Sequence, residues 1–400
     1  MWYFGHKYSL KLNTRSYDVF HIHMFKNFEI NMEIVVGTYD EVLLGYKLIK
    51  SDEDVYELQQ TFTDKSHSGC IKCVAAASNG TLASGSTDET IRIFNLKSNV
   101  ELGSLLHHEG TISSLQFYKN SHMFSCSEDG SICIWSLKNW ECLKTLRGHK
   151  GFVNAVSIHP SGKLALSVGQ DKTLKTWNLV TGRAAFTTNI KQVGDGVVWS
   201  QDGDRYAVIC DKKLDVYNTE TAKVCCSMQA PGRIYAALFL TSQEIVYTGE
   251  GGIVYIHNIS ENREIKQIDT KTNRVRGLCC VRKKPGHSER SHLVTASSDG
   301  YIKVYNLDTD KVDQSDCELI VEHDTKFRLT CLTAIDIETS IGTSKVKEEQ
   351  SEEETEAVQE TNDDSNGERI TKKKNKKKRK KIQKSAETMP ENKTKKTKTR

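Results

Sequence analysis

The chain has 400 residues, of which 37% are apolar, and this is enough to bury a substantial core. It contains no apolar run of about 18 residues, so the sequence predicts no membrane span. Its first residues, MWYFGH, lack the basic-then-apolar order of a secretory signal. We therefore expect its twelve cysteines to be reduced thiols of a cytosolic or nuclear protein.

The net charge of +4 conceals an uneven distribution. Residues 345–368 carry 2 basic and 10 acidic side chains, whereas residues 369–400 carry 16 basic and 2 acidic ones. The rest of the chain holds 38 basic and 40 acidic side chains and is nearly neutral. The charge excess therefore belongs to the C-terminal end.

In chain order, the first predicted elements are two strands, EIVVGTYD and EVLLGYKLI, within residues 33–49. Six related apolar strands follow at steps of 41, 42, 40, 40 and 48 residues. They are aligned on Phe94, Trp135, Trp177, Tyr217, His257 and Tyr305. Alternating apolar and polar residues with Asp-Gly or Asp-Lys turns lie between them, a pattern that predicts β-hairpins.

A period near 40 with four short strands per unit is typical of a WD40 β-propeller. Six units are visible between residues 57 and 308, and a further strand, FRLTCLTAI, follows at residues 327–335. Joined to the N-terminal strand pair, this strand would complete a seventh blade and remove exposed strand edges. The sequence thus predicts an all-β, seven-bladed propeller over residues 32–341, closed by N- and C-terminal strands.

Within the repeats, His, Ser or Thr, and Asp recur at fixed offsets from the aromatic position. This recurrence argues against a Ser–His–Asp hydrolase site, because an enzyme needs only one such set. The resemblance to WD40 repeats implies a structural hydrogen-bond relay from the indole N–H through hydroxyl and His to Asp. The expected relay residues are His67, Ser84, Asp88, His108, Ser125, Asp129, Trp135, His149, Ser167, Asp171, Trp177, Thr295 and Asp299.

Some repeats depart from this pattern. Phe94 has no N–H to donate, and Lys271 stands near the expected His position of the sixth repeat. The fourth and fifth repeats have lost most of the network. Either these blades lost the network because their polar positions serve partner contacts, or their sequences diverged without a functional reason.

Cys70 and Cys73 form a C-x-x-C motif, which invites a zinc or redox interpretation. No second C-x-x-C or spaced His pair accompanies it, and positions i and i+3 of a strand face opposite ways. We therefore expect a structural role for both cysteines, and the sequence predicts no metal, no cofactor and no catalytic residue.

The stretches MEIVVGTYDEVLLGY (32–46), HHEGTISSLQFY and HPSGKLALSVGQDKTLKTWNLVTGRAAF (159–186) are more specific than a generic repeat. They resemble the p21-activated kinase-interacting proteins, a family of nucleolar WD-repeat proteins. The resemblance implies assembly of the large (60S) ribosomal subunit. It also implies inhibition of p21-activated kinase through binding of the kinase's regulatory region.

Residues 1–31 precede the matching region and contain eight aromatic side chains. Because the family resemblance begins at Met32, we expect this segment to be an extension outside the propeller.

Beyond the propeller, residues 342–368 are predicted to be an acidic disordered linker and residues 369–400 a basic disordered tail. The run KKKNKKKRKK fits nuclear or nucleolar targeting and salt-dependent contact with pre-ribosomal RNA, although a solubilising tail has the same composition. The residues concerned are Lys372, Lys373, Lys374, Lys376, Lys377, Lys378, Arg379, Lys380 and Lys381.

Three functions are consistent with these features. The first is a non-catalytic scaffold for proteins of the 60S precursor, monomeric within a larger nucleolar complex. The second is an inhibitor of kinase signalling, which is compatible with the first. The third is a substrate receptor or peptide reader of a modifying complex, although Trp135 and Trp177 are followed by Ser and Asn and not by Asp.

Overall fold

The computed structural model describes residues 32–51, 55–282, 291–308 and 317–337. In this part of the chain it shows 28 strands arranged as seven four-stranded antiparallel sheets. No helix within these residues has the length and apolarity that a membrane crossing requires. The predicted all-β, seven-bladed propeller is confirmed.

We number the blades so that blade 1 begins at β4 and blade 7 combines β28 with β1, β2 and β3. The strands of blade 7 are β1 (Met32–Thr38), β2 (Leu43–Lys50), β3 (Tyr56–Asp64) and β28 (Leu329–Asp336). Blade 1 comprises β4 (Ile71–Ala76), β5 (Thr81–Ser86), β6 (Ile91–Asn95) and β7 (Val100–Leu105). Blade 2 comprises β8 (Ile112–Tyr118), β9 (His122–Ser127), β10 (Ser131–Ser136) and β11 (Cys142–Arg147).

The remaining blades follow in chain order. Blade 3 comprises β12 (Val153–Ile158), β13 (Leu164–Gly169), β14 (Thr173–Asn178) and β15 (Arg183–Asn189). Blade 4 comprises β16 (Gly196–Trp199), β17 (Arg205–Cys210), β18 (Lys213–Asn218) and β19 (Val224–Gln229). Blade 5 comprises β20 (Ile234–Phe239), β21 (Glu244–Gly249), β22 (Ile253–Asn258) and β23 (Arg263–Asp269). Blade 6 comprises β24 (Val275–Val281), β25 (Ser291–Ser297), β26 (Tyr301–Leu307) and β27 (Glu318–Asp324).

The innermost strands form a closed circle around a central channel. In ring order β4, β8, β12, β16, β20, β24 and β28 each contact the next, and β28 contacts β4. The ring is closed by the pairing of β1 with β28, in register from Met32↔Asp336 to Gly37↔Cys331. The two ends of the propeller therefore share one sheet. This agrees with the prediction that the N-terminal strand pair and the last strand form the seventh blade.

Apolar side chains fill the spaces between neighbouring blades. One cluster joins Ile34 and Leu48 of blade 7 to Val294 and Val304 of blade 6, all of them fully buried. Since each sheet buries its faces against its neighbours, a single blade is not a stable unit by itself. All twelve cysteines are free thiols in this structure.

Candidate functional site

The recurring polar residues lie at the channel end where the innermost strands begin. In blade 2, the turn between β9 and β10 places Asp129 beside His108 from the loop before β8. His108 Nδ1 is 2.7 Å from Asp129 Oδ2, and His108 Nε2 is 2.7 Å from Ser125 Oγ. The indole N–H of Trp135 donates to the same Ser125 oxygen at 2.8 Å.

One arrangement of protons satisfies all four groups of this relay. The indole N–H can only donate, so Ser125 Oγ accepts from Trp135 and directs its own hydrogen to His108 Nε2. Nδ1 of His108 then carries the ring proton and donates it to the carboxylate of Asp129. This tautomer is assigned from the hydrogen-bond pattern. The relay connects the second and third strands of the blade to the loop before the first.

Blade 3 repeats this relay, and blade 1 contains part of it. His149 Nδ1 lies 3.0 Å from Asp171, His149 Nε2 lies 2.7 Å from Ser167 Oγ, and Trp177 Nε1 donates to Ser167 at 2.8 Å. In blade 1, His67 Nδ1 is 2.9 Å from Asp88 Oδ2, and His67 Nε2 is 2.8 Å from Ser84 Oγ. Phe94 occupies the indole position, so the donor to Ser84 is missing there.

Blade 6 differs from the expectation. Thr295 Oγ1 is 3.4 Å from the carbonyl oxygen of Lys303, and Asp299 accepts from the backbone N–H of Asn273 at 3.2 Å. The two side chains are therefore not linked in one relay, and including them was wrong. The physical reason is that no His is available to bridge them. The loop before β24 carries Lys271 near the expected His position.

Burial and hydrogen bonds fix the charge states of the relay. Burial lowers the pKa of His108 and His149, and the nearby aspartates only partly offset this effect. Burial by itself would raise the pKa of Asp88, but hydrogen bonds from Thr90, His67 and the Ser68 N–H outweigh it and lower that pKa to about 2. In blades 2 and 3 the result is a neutral imidazole against a carboxylate, which suits a rigid structural link.

The hydroxyl groups of the relays are not available to a substrate. Ser84, Ser125 and Ser167 are fully buried. In blades 2 and 3 the same hydroxyl oxygen is already engaged by both an indole and an imidazole. The arrangement holds strands together and exposes no nucleophile.

The two cysteines of the C-x-x-C motif do not converge. Cys70 precedes β4 and is half-buried, with its Sγ 3.7 Å from the carbonyl oxygen of Ile71. Cys73 lies within β4, and its Sγ approaches the carbonyl oxygen of Ile112 in blade 2 at 3.6 Å. Burial raises the pKa of the Cys73 thiol well above its ordinary value. These are features of a packed cysteine and not of a reactive one.

A β-bulge occurs near the start of six of the seven innermost strands. At each bulge one residue of the inner strand has no partner in the ladder with the second strand. A bulge changes the direction in which the side chain of the unpaired residue points. The unpaired residues are Lys72, Ser113, Asn154, Tyr235, Arg276 and Thr330.

The bulged residues divide into two kinds. Ser113, Asn154 and Thr330 donate hydrogen bonds to carbonyl oxygens of the next blade, for example Asn154 Nδ2 to Gly194 O at 2.8 Å. They therefore tie neighbouring blades together. Lys72 and Arg276 are long and basic, and Tyr235 is aromatic, so these three present larger groups at the channel entrance.

These three side chains lie close to two further ones from blade 7, Tyr39 and Arg328, so that the group spans blades 5, 6, 7 and 1. The guanidinium of Arg276 lies 4.0 Å from the ring centre of Tyr235, and that of Arg328 lies 5.0 Å from the ring centre of Tyr39. Tyr39 is in the β1–β2 turn and is 55% exposed. We call Tyr39, Lys72, Tyr235, Arg276 and Arg328 the basic arc.

A cavity of about 290 Å³ opens within the basic arc, lined by Tyr39, Cys70, Lys72, Arg276, Arg328, Leu329 and Thr330. An adjoining cavity of about 330 Å³ shares Lys72, Arg276 and Thr330 and includes Tyr235. Arg233, just outside, is paired with Asp195 at 2.6 Å. Within the described part of the chain, by contrast, no ion pair involves Lys72, Arg276 or Arg328. Their charges are available to an acidic ligand.

Sequence reasoning missed the basic arc. Its bulged members occupy equivalent positions, one residue after the first buried residue of each inner strand, as in Ile71-Lys72, Ile234-Tyr235 and Val275-Arg276. Aligning the repeats on these buried residues would have shown the basic and aromatic substitutions. The lysines and the arginine predicted for targeting, residues 372–381, lie outside the described residues.

Comparisons with known proteins agree with this architecture. The family described as WD domain, G-beta repeat, matches residues 57–95, 99–136 and 140–178. The p21-activated protein kinase-interacting protein 1 of Homo sapiens is 43% identical over 306 residues, covering 75% of this chain and 76% of the human protein.

Two further relatives extend this similarity. The Xenopus laevis protein named p21-activated protein kinase-interacting protein 1-like is 40% identical, over 76% of this chain and 82% of its own length. The Shk1 kinase-binding protein 15 of Schizosaccharomyces pombe is 25% identical, over 80% of this chain and 88% of its own length. On the extent of the vertebrate matches, this WD-repeat chain belongs to the p21-activated protein kinase-interacting protein 1 family.

Proposed function

We propose that this chain is a non-catalytic scaffold that binds the regulatory region of a p21-activated kinase and restrains the kinase. The names of its relatives support this role, because both the human protein and the more distant Schizosaccharomyces pombe protein are named for kinase binding. In the fold, the relays are closed to substrates, whereas the channel entrance offers an open binding surface.

The observation that carries this proposal is the basic arc. Lys72, Arg276 and Arg328 bring three positive charges to one entrance, and Tyr39 and Tyr235 flank them with aromatic faces. Acidic groups pair with such charges, and apolar side chains beside them pack on the rings. The kinase segment bound here would therefore carry acidic residues next to apolar ones.

The test is a binding titration of the full chain with a purified regulatory region of the kinase. The triple variant Lys72→Glu, Arg276→Glu, Arg328→Glu should weaken binding by about 2–5 kcal/mol, or thirtyfold and more. The matched control is Lys163→Glu, since Lys163 is an exposed lysine in the β12–β13 hairpin at the other end of the channel.

Two results would contradict the proposal in different ways. If the wild-type chain does not bind the regulatory region, the kinase role is wrong. If it binds, and the triple variant binds equally well, the kinase uses another surface.

We further propose that the chain acts in the nucleolus during assembly of the 60S subunit and contacts pre-ribosomal RNA through residues 372–381. The support is the family resemblance and the nine positive charges in this ten-residue segment. Depletion of the protein should reduce large-subunit rRNA precursors, and the full chain should restore them. A chain ending at residue 368 should localise diffusely and lose the steep salt dependence of RNA binding. Normal rRNA processing after depletion would contradict this role.

A further inference from the structure

Three side chains that commonly bind metals converge on one side of blade 2, away from the basic arc. A ring nitrogen of His107 and the Sγ atoms of Cys133 and Cys142 all lie within 4.8 Å of one another. In the described part of the chain this is the one such group of His, Cys, Asp or Glu. It does not involve the C-x-x-C motif at Cys70 and Cys73.

The fold explains why these three residues meet. Cys133 lies on β10, and Cys142 is the first residue of the neighbouring edge strand β11. A bulge between Ile134 and Trp135 pairs Trp135 with Cys142 in place of Leu143. Because opposed residues of an antiparallel pair project from the same face, Cys142 shares the face of Trp135 and Cys133.

His107 completes the group from the loop after β7. Its ring packs edge-on against Trp135, with ring centres 5.7 Å apart, so the indole of the blade 2 relay supports it. His107 is exposed, Cys142 is half-buried and Cys133 is fully buried. The group therefore has one side open to solvent, through which an ion can enter.

The hydroxyl of Thr145 lies among the three ligand atoms. It is 3.1 Å from His107 Nε2 and 3.7 Å from the Sγ atoms of both Cys133 and Cys142. A hydroxyl at this position supplies a weak fourth ligand or holds a water molecule there. Two sulfurs, one imidazole nitrogen and one oxygen form a donor set that suits zinc.

The distances permit coordination after small side-chain rotations. With Zn–S bonds of about 2.3 Å and Zn–N bonds of about 2.0 Å, tetrahedral ligand atoms are about 3.5–3.8 Å apart. The longest separation in the cluster must therefore shorten by about 1.0–1.3 Å, which rotations of the half-buried Cys142 and the exposed His107 can supply.

We propose that blade 2 binds one Zn²⁺ ion through His107, Cys133 and Cys142, with Thr145 or a water in the fourth position. Both thiols lose their protons to solvent as the thiolates bind the ion. The ion is structural: it ties the loop between blades 1 and 2 to the edge strand β11. The adjacent His108, which belongs to the relay of blade 2, is held in place by the same loop.

The test uses the full-length chain, freed of metal under reducing conditions and titrated with Zn²⁺ against a chromophoric chelator. The wild-type chain should bind one equivalent, and saturation should raise its melting temperature. His107→Ala and Cys142→Ser should each weaken this binding by about tenfold or more, since loss of even an indirect supporting partner costs that much. His107 is exposed, so its replacement leaves the core intact.

The matched control is Cys70→Ser. Cys70 is a half-buried cysteine just before β4 of blade 1, and it lies outside the cluster. This variant should bind Zn²⁺ as the wild-type chain does. Substitution with Co²⁺ gives a second reading, because thiolate-to-cobalt absorption should appear in the wild-type chain and disappear in Cys142→Ser.

Three results would overturn the proposal. One is equal Zn²⁺ affinity of the wild-type chain and the double variant His107→Ala, Cys142→Ser, which would place the binding elsewhere, for example at His6, His21 or His23. Another is loss of binding in Cys70→Ser. The third is a metal-free wild-type protein in which mass spectrometry finds a Cys133–Cys142 disulfide that resists mild reduction.

Discussion

The indole N–H of Trp177 donates a 2.8 Å hydrogen bond to Oγ of Ser167, and the exposed fractions of the two residues are 1% and 0%. Because Ser167 also bonds to His149, the relay of blade 3 depends on this contact. Trp177→Phe keeps one aromatic ring but removes the donor and part of the packed indole. It should lower the free energy of unfolding by about 1–3 kcal/mol, since it leaves a buried oxygen short of one partner.

Chemical denaturation measures this change, and a double-mutant cycle provides its control. In a Ser167→Ala background the same Trp177→Phe replacement should cost clearly less, because the partner is already gone. Equal costs in both backgrounds would show that the effect comes from packing and not from the hydrogen bond.

Acid should destabilise the propeller in two steps. The pKa values of His108 and His149 are lowered from the ordinary 6.5 by burial, so below about pH 6.5 the unfolded chain binds protons that the folded chain does not. Stability should therefore fall as the pH drops from 7 through this range. A second fall should follow between pH 3.8 and about 2, as Asp88 is protonated.

Melting temperatures across this pH range, together with NMR titration of the two imidazole rings, check both steps. The double variant His108→Gln, His149→Gln should show a shallower decline near pH 6. Ring titrations of His108 and His149 at or above pH 6.5 in the folded protein would contradict the prediction.

Closure by β28 should be essential for cooperative folding. A chain ending at residue 328 lacks the partner of β1 and breaks the circle of inner strands on both sides. It should lose its sharp thermal transition. A chain ending at residue 339 keeps β28 and should melt within a few degrees of the full-length protein. Cooperative unfolding of the shorter chain by calorimetry would show that six blades suffice.

Residues 1–31 should be dispensable for the propeller. They precede β1, and the family resemblance begins at Met32. Deleting them should leave the melting temperature unchanged within about 1–2 °C, which corresponds to about 0.6–1.3 kcal/mol for a domain of about 300 residues. A decrease of several degrees would show that this aromatic segment packs against the folded protein.

The blade count and the ring closure were predictable from the sequence because they depend on a local period. Phe94, Trp135 and Trp177 recur at nearly constant steps, and each His–Asp pair lies within one repeat, so spacing alone indicates proximity. The same reasoning failed for Asp299, where the Lys271 position offers no imidazole to complete the contact.

The spacing of the aromatic and His–Asp positions did not reveal the basic arc or the proposed zinc site. Lys72 and Arg276 are about 200 residues apart, and each faces the channel only because its strand has a bulge at that residue. Likewise Cys142 meets Cys133 only because the bulge leaves Leu143 out of the pairing. A bulge shifts every later side chain by one place, and an alternating pattern of apolar and polar residues does not reveal where it occurs.

The pairing of β1 with β28 also sets the time at which the fold can be completed. Val35 and Val36 are fully buried, but β28 is synthesised about 290 residues after them, which takes about 15 to 60 s at usual rates of translation. Throughout that interval β1 has one strand edge without its partner. During this interval the edge is open to pairing with other chains, and a product that ends before β28 keeps it open permanently.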